Sequence, residues 1–190
     1  LEIMEILIQN FPGIVVIDEA YIDFSNQQST LNRLEKYPNL VVLQTLSKAW
    51  GLAGIRLGMA FACEEIIEVL NRIKMPYNVN VLTQEAVLEA LKNSEEKDRQ
   101  VKDILEHKTI LKSKLEAFDF VEKVFPSDAN FFLVRVKNPP ALIQFLRDKG
   151  IIIRDRSKTT LCENCVRITV GRQEENETLI EELFAFQKLK

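Results

Sequence analysis

Cysteine and histidine are scarce in this sequence, neither sign of charge dominates it, and no stretch is apolar for long. Three cysteines, an odd number in 190 residues, argue against a disulfide framework and for a reducing, cytosolic compartment. Two of them form Cys162-x-x-Cys165, a metal-ligand spacing. The pair stands alone, and the single histidine, His107, is distant in sequence. Zinc usually takes four ligands, so no metal is expected, and the cysteines read as ordinary residues at a loop–strand junction. His107 lies in charged company and reads as exposed. With 25 Lys and Arg against 28 Asp and Glu, the formal charge is -3, which gives no electrostatic case for nucleic acid or an anionic membrane. No apolar run approaches the ~20 residues needed to span a bilayer. A secretory leader is not expected, because Leu1 to Ile8 already contains Glu2 and Glu5. An initiator methionine is also missing, and the chain opens inside a helical pattern, so a fragment of a longer protein is expected. No internal repeat or low-complexity segment occurs. What is present, 46% hydrophobic and 28% charged residues, fits a soluble globular protein of one large domain or one and a half small ones.

Taken in order, Ile3 to Ile8 reads as a helix that turns at Pro12-Gly13 into Ile14-Val15-Val16-Ile17. Four β-branched residues in a row suit a central parallel strand covered on both faces. Leu40 to Leu43 and Met59 to Cys63 read as further strands. Glu64 to Lys74 and Thr83 to Leu91 read as helices, separated by a linker around Tyr77. A long amphipathic helix follows, from Lys97 to Phe118. Beyond Phe120 the pattern changes to short strands at Val121–Phe125, Asn130–Val136, Ile151–Arg154 and Cys165–Val170. A helix opened by Pro139-Pro140 and ended by Gly150 interrupts them, and Glu174 to Lys188 closes the chain. This mixture indicates a separate α+β unit.

The chemistry concentrates in Gln44-Thr45-Leu46-Ser47-Lys48-Ala49-Trp50-Gly51-Leu52-Ala53-Gly54-Ile55-Arg56-Leu57-Gly58. Hydroxyls and glycines after a strand suit a turn that holds an anion. A lysine among apolar walls beside another cation can lose its proton and act as a nucleophile. Arg56 is the second cation, and its planar fork can grip a phosphate. An amine beside a phosphate seat is what a pyridoxal phosphate enzyme needs. Ligands of open α/β sheets gather beyond the carboxyl ends of strands, which is where Asp18 falls, with Tyr21 three residues on.

The stretch resembles the Schiff-base lysine region of fold-type I aminotransferases, and within them the histidinol-phosphate aminotransferase branch. The resemblance runs along essentially the whole chain but matches only the C-terminal half of that family. It implies an α/β fold: part of a cofactor-binding large domain over residues 1–95, a connecting helix over 96–118 and a small α+β domain over 119–190. It further implies Lys48 as the cofactor-bearing lysine and acid–base group. Asp18 would sit at the cofactor's pyridine nitrogen and Tyr21 at its phenolic oxygen, with Thr45, Ser47 and Arg56 seating the phosphate. Arg167, in Val166-Arg167-Ile168-Thr169-Val170-Gly171, would bind the substrate's anion, with Tyr77 facing the same site. Arg154 and Arg172 are further cations without an assigned role. The implied partners are an amino donor and a 2-oxo acid, in a cytoplasmic homodimer of histidine biosynthesis. A related phosphothreonine decarboxylase, or another fold-type I aminotransferase, shares the signatures. Asp18-Glu19 after an apolar strand also resembles the Walker B element of P-loop nucleotide hydrolases, although no Gly-x-x-x-x-Gly-Lys-Ser/Thr loop is present. A further reading makes the chain a folded but inactive half. The isolated chain is expected to be inactive.

Overall fold

A computed structural model of the chain describes residues 2–189. The chain divides into two compact units, one up to Arg99 and the other from Gln100.

The first unit opens with helix α1, Glu2–Asn10, followed by strand β1, Val15–Asp18. Two 3₁₀ turns, Ile22–Phe24 and Thr30–Arg33, lead to β2, Leu40–Thr45. A third, Ala53–Ile55, precedes β3, Gly58–Phe61, and helices α2, Glu64–Ile73, and α3, Val81–Leu91, follow. Strand order is β1-β2-β3. β1 runs parallel to β2, with Val15 opposite Leu40 and Asp18 opposite Leu43, whereas β3 returns antiparallel to β2. Ile8, Val15, Tyr37, Leu40 and Val42 form the core of this unit. The end of α1 is held by Asn39, whose amide donates to the carbonyls of Ile8 at 3.0 Å and Gly13 at 3.1 Å. The first contact satisfies a carbonyl that the helix end leaves unpaired, and the second ties down the turn that follows.

β1 departs from the expected central strand. It is an edge strand: among the described residues β2 alone pairs with it. Val15 faces the core, but Val16 is 55% exposed. Runs of β-branched residues specify an extended backbone, and burial of both faces needs neighbours that the run itself cannot supply.

Helix α4, Ser94–Glu116, begins in the first unit and continues into the second. There follow β4, Val121–Val124; β5, Phe131–Val136; α5, Pro139–Asp148; β6, Arg154–Asp155; β7, Cys165–Thr169; and α6, Gln173–Gln187. The sheet is antiparallel, in the order β4-β5-β7-β6. β5 alternates strictly, burying Phe132, Val134 and Val136. Leu142 and Leu146 of α5, Leu179 and Leu183 of α6 and Leu111 and Leu115 of α4 belong to the same core. Each fully buried leucine contributes about 1.5–3 kcal/mol relative to exposure. α5 starts where expected: Asn138 accepts from Ala141 N at 3.2 Å, and Pro139 occupies the first turn. Gly150, at φ 77°, follows its end.

The strand expected at Ile151–Arg154 shrinks to Arg154–Asp155. Ile151 N donates to Leu146 O at 2.8 Å, so the first residues of that run close the helix instead of joining the sheet. Among the described residues, no helix is long and apolar enough to cross a membrane.

Candidate active site

The parallel pair β1–β2 sends both strand ends to one side of the first unit. Asp18 is the last residue of β1 and Thr45 the last of β2. One more rung follows them, Glu19 N donating to Leu43 O at 2.8 Å. Asp18 is exposed, and its Oδ1 accepts from Ala20 N at 2.9 Å. That bond turns the chain away from the sheet and leaves the second carboxylate oxygen open to a ligand. Tyr21, three residues on, is half-buried.

Lys48 arrives from the other strand. Thr45 pairs with Gly58 across the β2–β3 ladder, so residues 46–57 form a closed loop. Thr45 Oγ1 pins that loop twice, accepting from Ser47 N at 3.1 Å and donating to Leu57 O at 3.2 Å. Leu52 N donates to Leu46 O and Gly51 N to Lys48 O, both at 3.0 Å. Gly51 adopts φ 66°, a conformation that suits glycine. Leu46 and Ala49 of this loop are buried. Lys48 Nζ then stands 5.2 Å from the centroid of the Tyr21 ring, within cation–π range. The fold thus gathers Asp18, Tyr21, Thr45, Ser47 and Lys48 from two chain segments.

The other candidates are placed differently. Lys48 is exposed, not enclosed by apolar walls. Arg56 is exposed with left-handed backbone, φ 60°, and donates to Ala53 O of its own turn at 3.2 Å. Tyr77 is 97% exposed, also at positive φ, and touches almost nothing. Arg167 belongs to the second unit. Its guanidinium covers the Phe131 ring at 5.1 Å, and its buried Nε has no hydrogen-bond partner. Arg154 lies directly opposite it across the β6–β7 ladder. Opposed residues of an antiparallel pair share a face, so the sheet sets two cations side by side.

The sequence offered Glu19 only as part of a Walker B resemblance and did not mark Lys97. Glu19 is 7% exposed, and both its oxygens accept from Ser29, Thr30 and Gln44. Burial raises its pKa, but the hydrogen bonds from Ser29, Thr30 and Gln44 outweigh that and hold it below the ordinary carboxylate value. A carboxylate so saturated cannot handle water, which removes the Walker B reading. Lys97, in the first turn of α4, donates to Asp23 at 3.1 Å and stands 5.4 Å over the Trp50 ring. It therefore ties the segment after Tyr21 to the lysine loop. A legible signal existed only for Arg154, an arginine at the end of a recognised strand; its pairing with Arg167 required the register.

Comparison with known proteins places the chain in a family. The profile of the aminotransferase class I and II family matches residues 1–183. A histidinol-phosphate aminotransferase of Flavobacterium johnsoniae is 52% identical over 93% of this chain and 51% of its own length. The chain spans about half the length of the curated relatives it matches. Among solved structures, the histidinol-phosphate aminotransferase of Clostridium acetobutylicum shares the fold, with TM-score 0.90 at 22% identity over all of this chain and 58% of its own. The L-threonine-O-3-phosphate decarboxylase of Porphyromonas gingivalis gives TM-score 0.87 at 27% identity, over 98% of this chain and 59% of its own. With the family profile running along nearly its full length, the chain belongs to the class I and II aminotransferases.

Proposed function

We propose that the protein containing this chain is a pyridoxal-phosphate-dependent aminotransferase. On this reading it exchanges an amino group between L-histidinol phosphate and 2-oxoglutarate. The observation that carries the proposal is the approach of Lys48 to Tyr21, three residues after Asp18 at the end of β1. The donor set fits the cofactor: a primary amine, an open carboxylate, a phenol and a hydroxyl-lined turn. When bound, pyridoxal phosphate would supply an electron sink for the substrate carbon that bears the amine. Asp18 would hold a proton on the pyridine nitrogen, and Tyr21 would donate to the phenolic oxygen. Thr45, Ser47 and Arg56 would seat the phosphate; Arg56 must first let go of Ala53 O. Lys48 would carry the cofactor and take the proton from the substrate's Cα, an acid–base role typically worth about 10²–10⁴-fold.

The opposed Arg154 and Arg167 would recognise the substrate's anion. Histidinol phosphate presents a phosphate there and glutamate a carboxylate, and a planar guanidinium binds either. The unpartnered Nε of Arg167 supports this, because a buried donor calls for an acceptor. Tyr77 would reach substrate only if its linker folds back. The domain division, a homodimeric assembly and a cytoplasmic location belong to the same proposal.

The test is product analysis of the full-length protein supplied with glutamate and imidazole-acetol phosphate. Formation of histidinol phosphate and 2-oxoglutarate is expected. Release of carbon dioxide from phosphothreonine would instead favour the decarboxylase reading, whose solved relative is the more distant at 27% identity against 52%.

A further inference from the structure

We propose that Glu19 is a positioning residue for the cofactor end of the first unit, locking the strand ends that carry Asp18 and Thr45 into one frame. The inference rests on the cofactor site proposed above. Oε1 of Glu19 accepts from Thr30 N at 2.6 Å and Thr30 Oγ1 at 2.7 Å, and Oε2 accepts from Ser29 Oγ at 2.6 Å and Gln44 Nε2 at 3.0 Å. The donors come from two places. Ser29 and Thr30 open a 3₁₀ turn, where Ser29 Oγ also caps Leu31 N at 3.1 Å. Gln44 is the penultimate residue of β2.

Glu19 thus joins three segments through one side chain. Asp18 precedes it in the chain, and Thr45 follows Gln44. Successive strand residues face opposite sides, so a side chain held at Gln44 fixes the backbone that presents Thr45 on the other face. Thr45 in turn pins the loop of Lys48 through Ser47 and Leu57. Glu19 touches neither cofactor nor substrate in this arrangement. It acts through Asp18 on one side and Thr45 on the other. Four donors converge on two oxygens, so an apolar replacement strands buried hydrogen-bond donors. Glutamine can restore most contacts if the Ser29 hydroxyl rotates and the Gln44 amide turns over.

The experiment uses the full-length protein and two readouts other than turnover: the dissociation constant for pyridoxal phosphate and the pH midpoint of its visible absorption when bound. Loss of a residue that orients a metal's ligands typically costs roughly 10–100-fold in affinity, and a loss toward the lower end is expected for a residue that orients a cofactor's neighbours. Glu19→Leu should therefore weaken cofactor binding about tenfold or more and shift the midpoint by about half a unit or more. Glu19→Gln should recover both to within about threefold and a few tenths of a unit. Gln44→Leu cuts only the link to β2 and keeps the carboxylate, so it should give a smaller change of the same kind, and it serves should Glu19→Leu fail to fold. Asn176→Ala is the control, since the Asn176 amide braces Gly171 N at 2.9 Å and Gly171 O at 2.8 Å in the other unit. It should lower the melting temperature with both readouts unchanged. Should the Glu19 and Gln44 variants also lose only thermal stability, Glu19 is a structural brace and the inference is overturned. A wild-type protein that binds no pyridoxal phosphate overturns the proposed function itself, and this inference with it.

Discussion

At the scale of single residues, the roles separate by what each side chain can still reach. Lys48 is exposed and flanked by Tyr21, so it is available to a ligand. Lys48→Ala in the full-length protein should abolish the borohydride-reducible adduct with the cofactor. Mass spectrometry of the reduced protein locates that adduct, and finding it on another lysine would reassign the role. Asp18→Asn should leave the cofactor bound and slow proton abstraction, read as a single-turnover rate. Arg167→Lys keeps the charge and loses the two-pronged geometry, so glutamate should bind about tenfold more weakly, near 1.5 kcal/mol, with cofactor affinity unchanged. Glu19 adds a pH dependence. Its folded pKa lies below the ordinary 4.5, so its stabilisation is present above about that value. It is lost as pH falls through the lower folded value. Acid melts of wild type and Glu19→Gln should show the wild type losing its advantage only below about pH 4.5.

At the scale of elements, the first turn of α4 matters as much as the strands. Lys97 donates to Asp98 at 2.7 Å as well as to Asp23, and it faces Trp50. Burial lowers its pKa, but the hydrogen bonds it donates to Asp98 and Asp23, with their charges, outweigh that and raise it. A raised folded pKa means a stabilisation present below the unfolded value and lost as pH climbs through the folded one. Lys97→Met should cost about 1 kcal/mol near neutral pH. In thermal melts the gap between variant and wild type should persist to the ordinary lysine value of 10.5 and close above it. A gap that closed in acid instead would assign the effect to the aspartates alone.

For the whole molecule, the open side of β1 governs behaviour. Val16 is exposed there, and α1 leaves Ile3, Ile6 and Leu7 uncovered in the same unit. Apolar surface beside an unpaired strand edge promotes association. The 190-residue chain, expressed alone, should self-associate in analytical ultracentrifugation and fail to transaminate glutamate even with added pyridoxal phosphate. Co-expression with the remainder of the full-length protein should reduce the association and restore turnover. Parental rates from this chain alone would refute the expectation.

Local chemistry was legible in the sequence because local rules write it. A β-branched run marked β1, a short apolar run marked β2, Pro139-Pro140 marked the start of α5, and hydroxyls with glycines marked the lysine loop. The same run at Ile14–Ile17 misled about burial, since neighbours across a sheet are set by the rest of the chain. The pairing of Arg154 with Arg167 was hidden for a related reason: register depends on where each strand begins, and Ile151 was drawn into a helix end. Sequence alone determined which residue types could do the chemistry and which segments carry them. Tertiary structure decided that Lys48 stands over Tyr21, that Glu19 is buried beneath four donors and that two arginines oppose each other. Those facts depend on long-range contacts, whose geometry no local pattern of residues encodes.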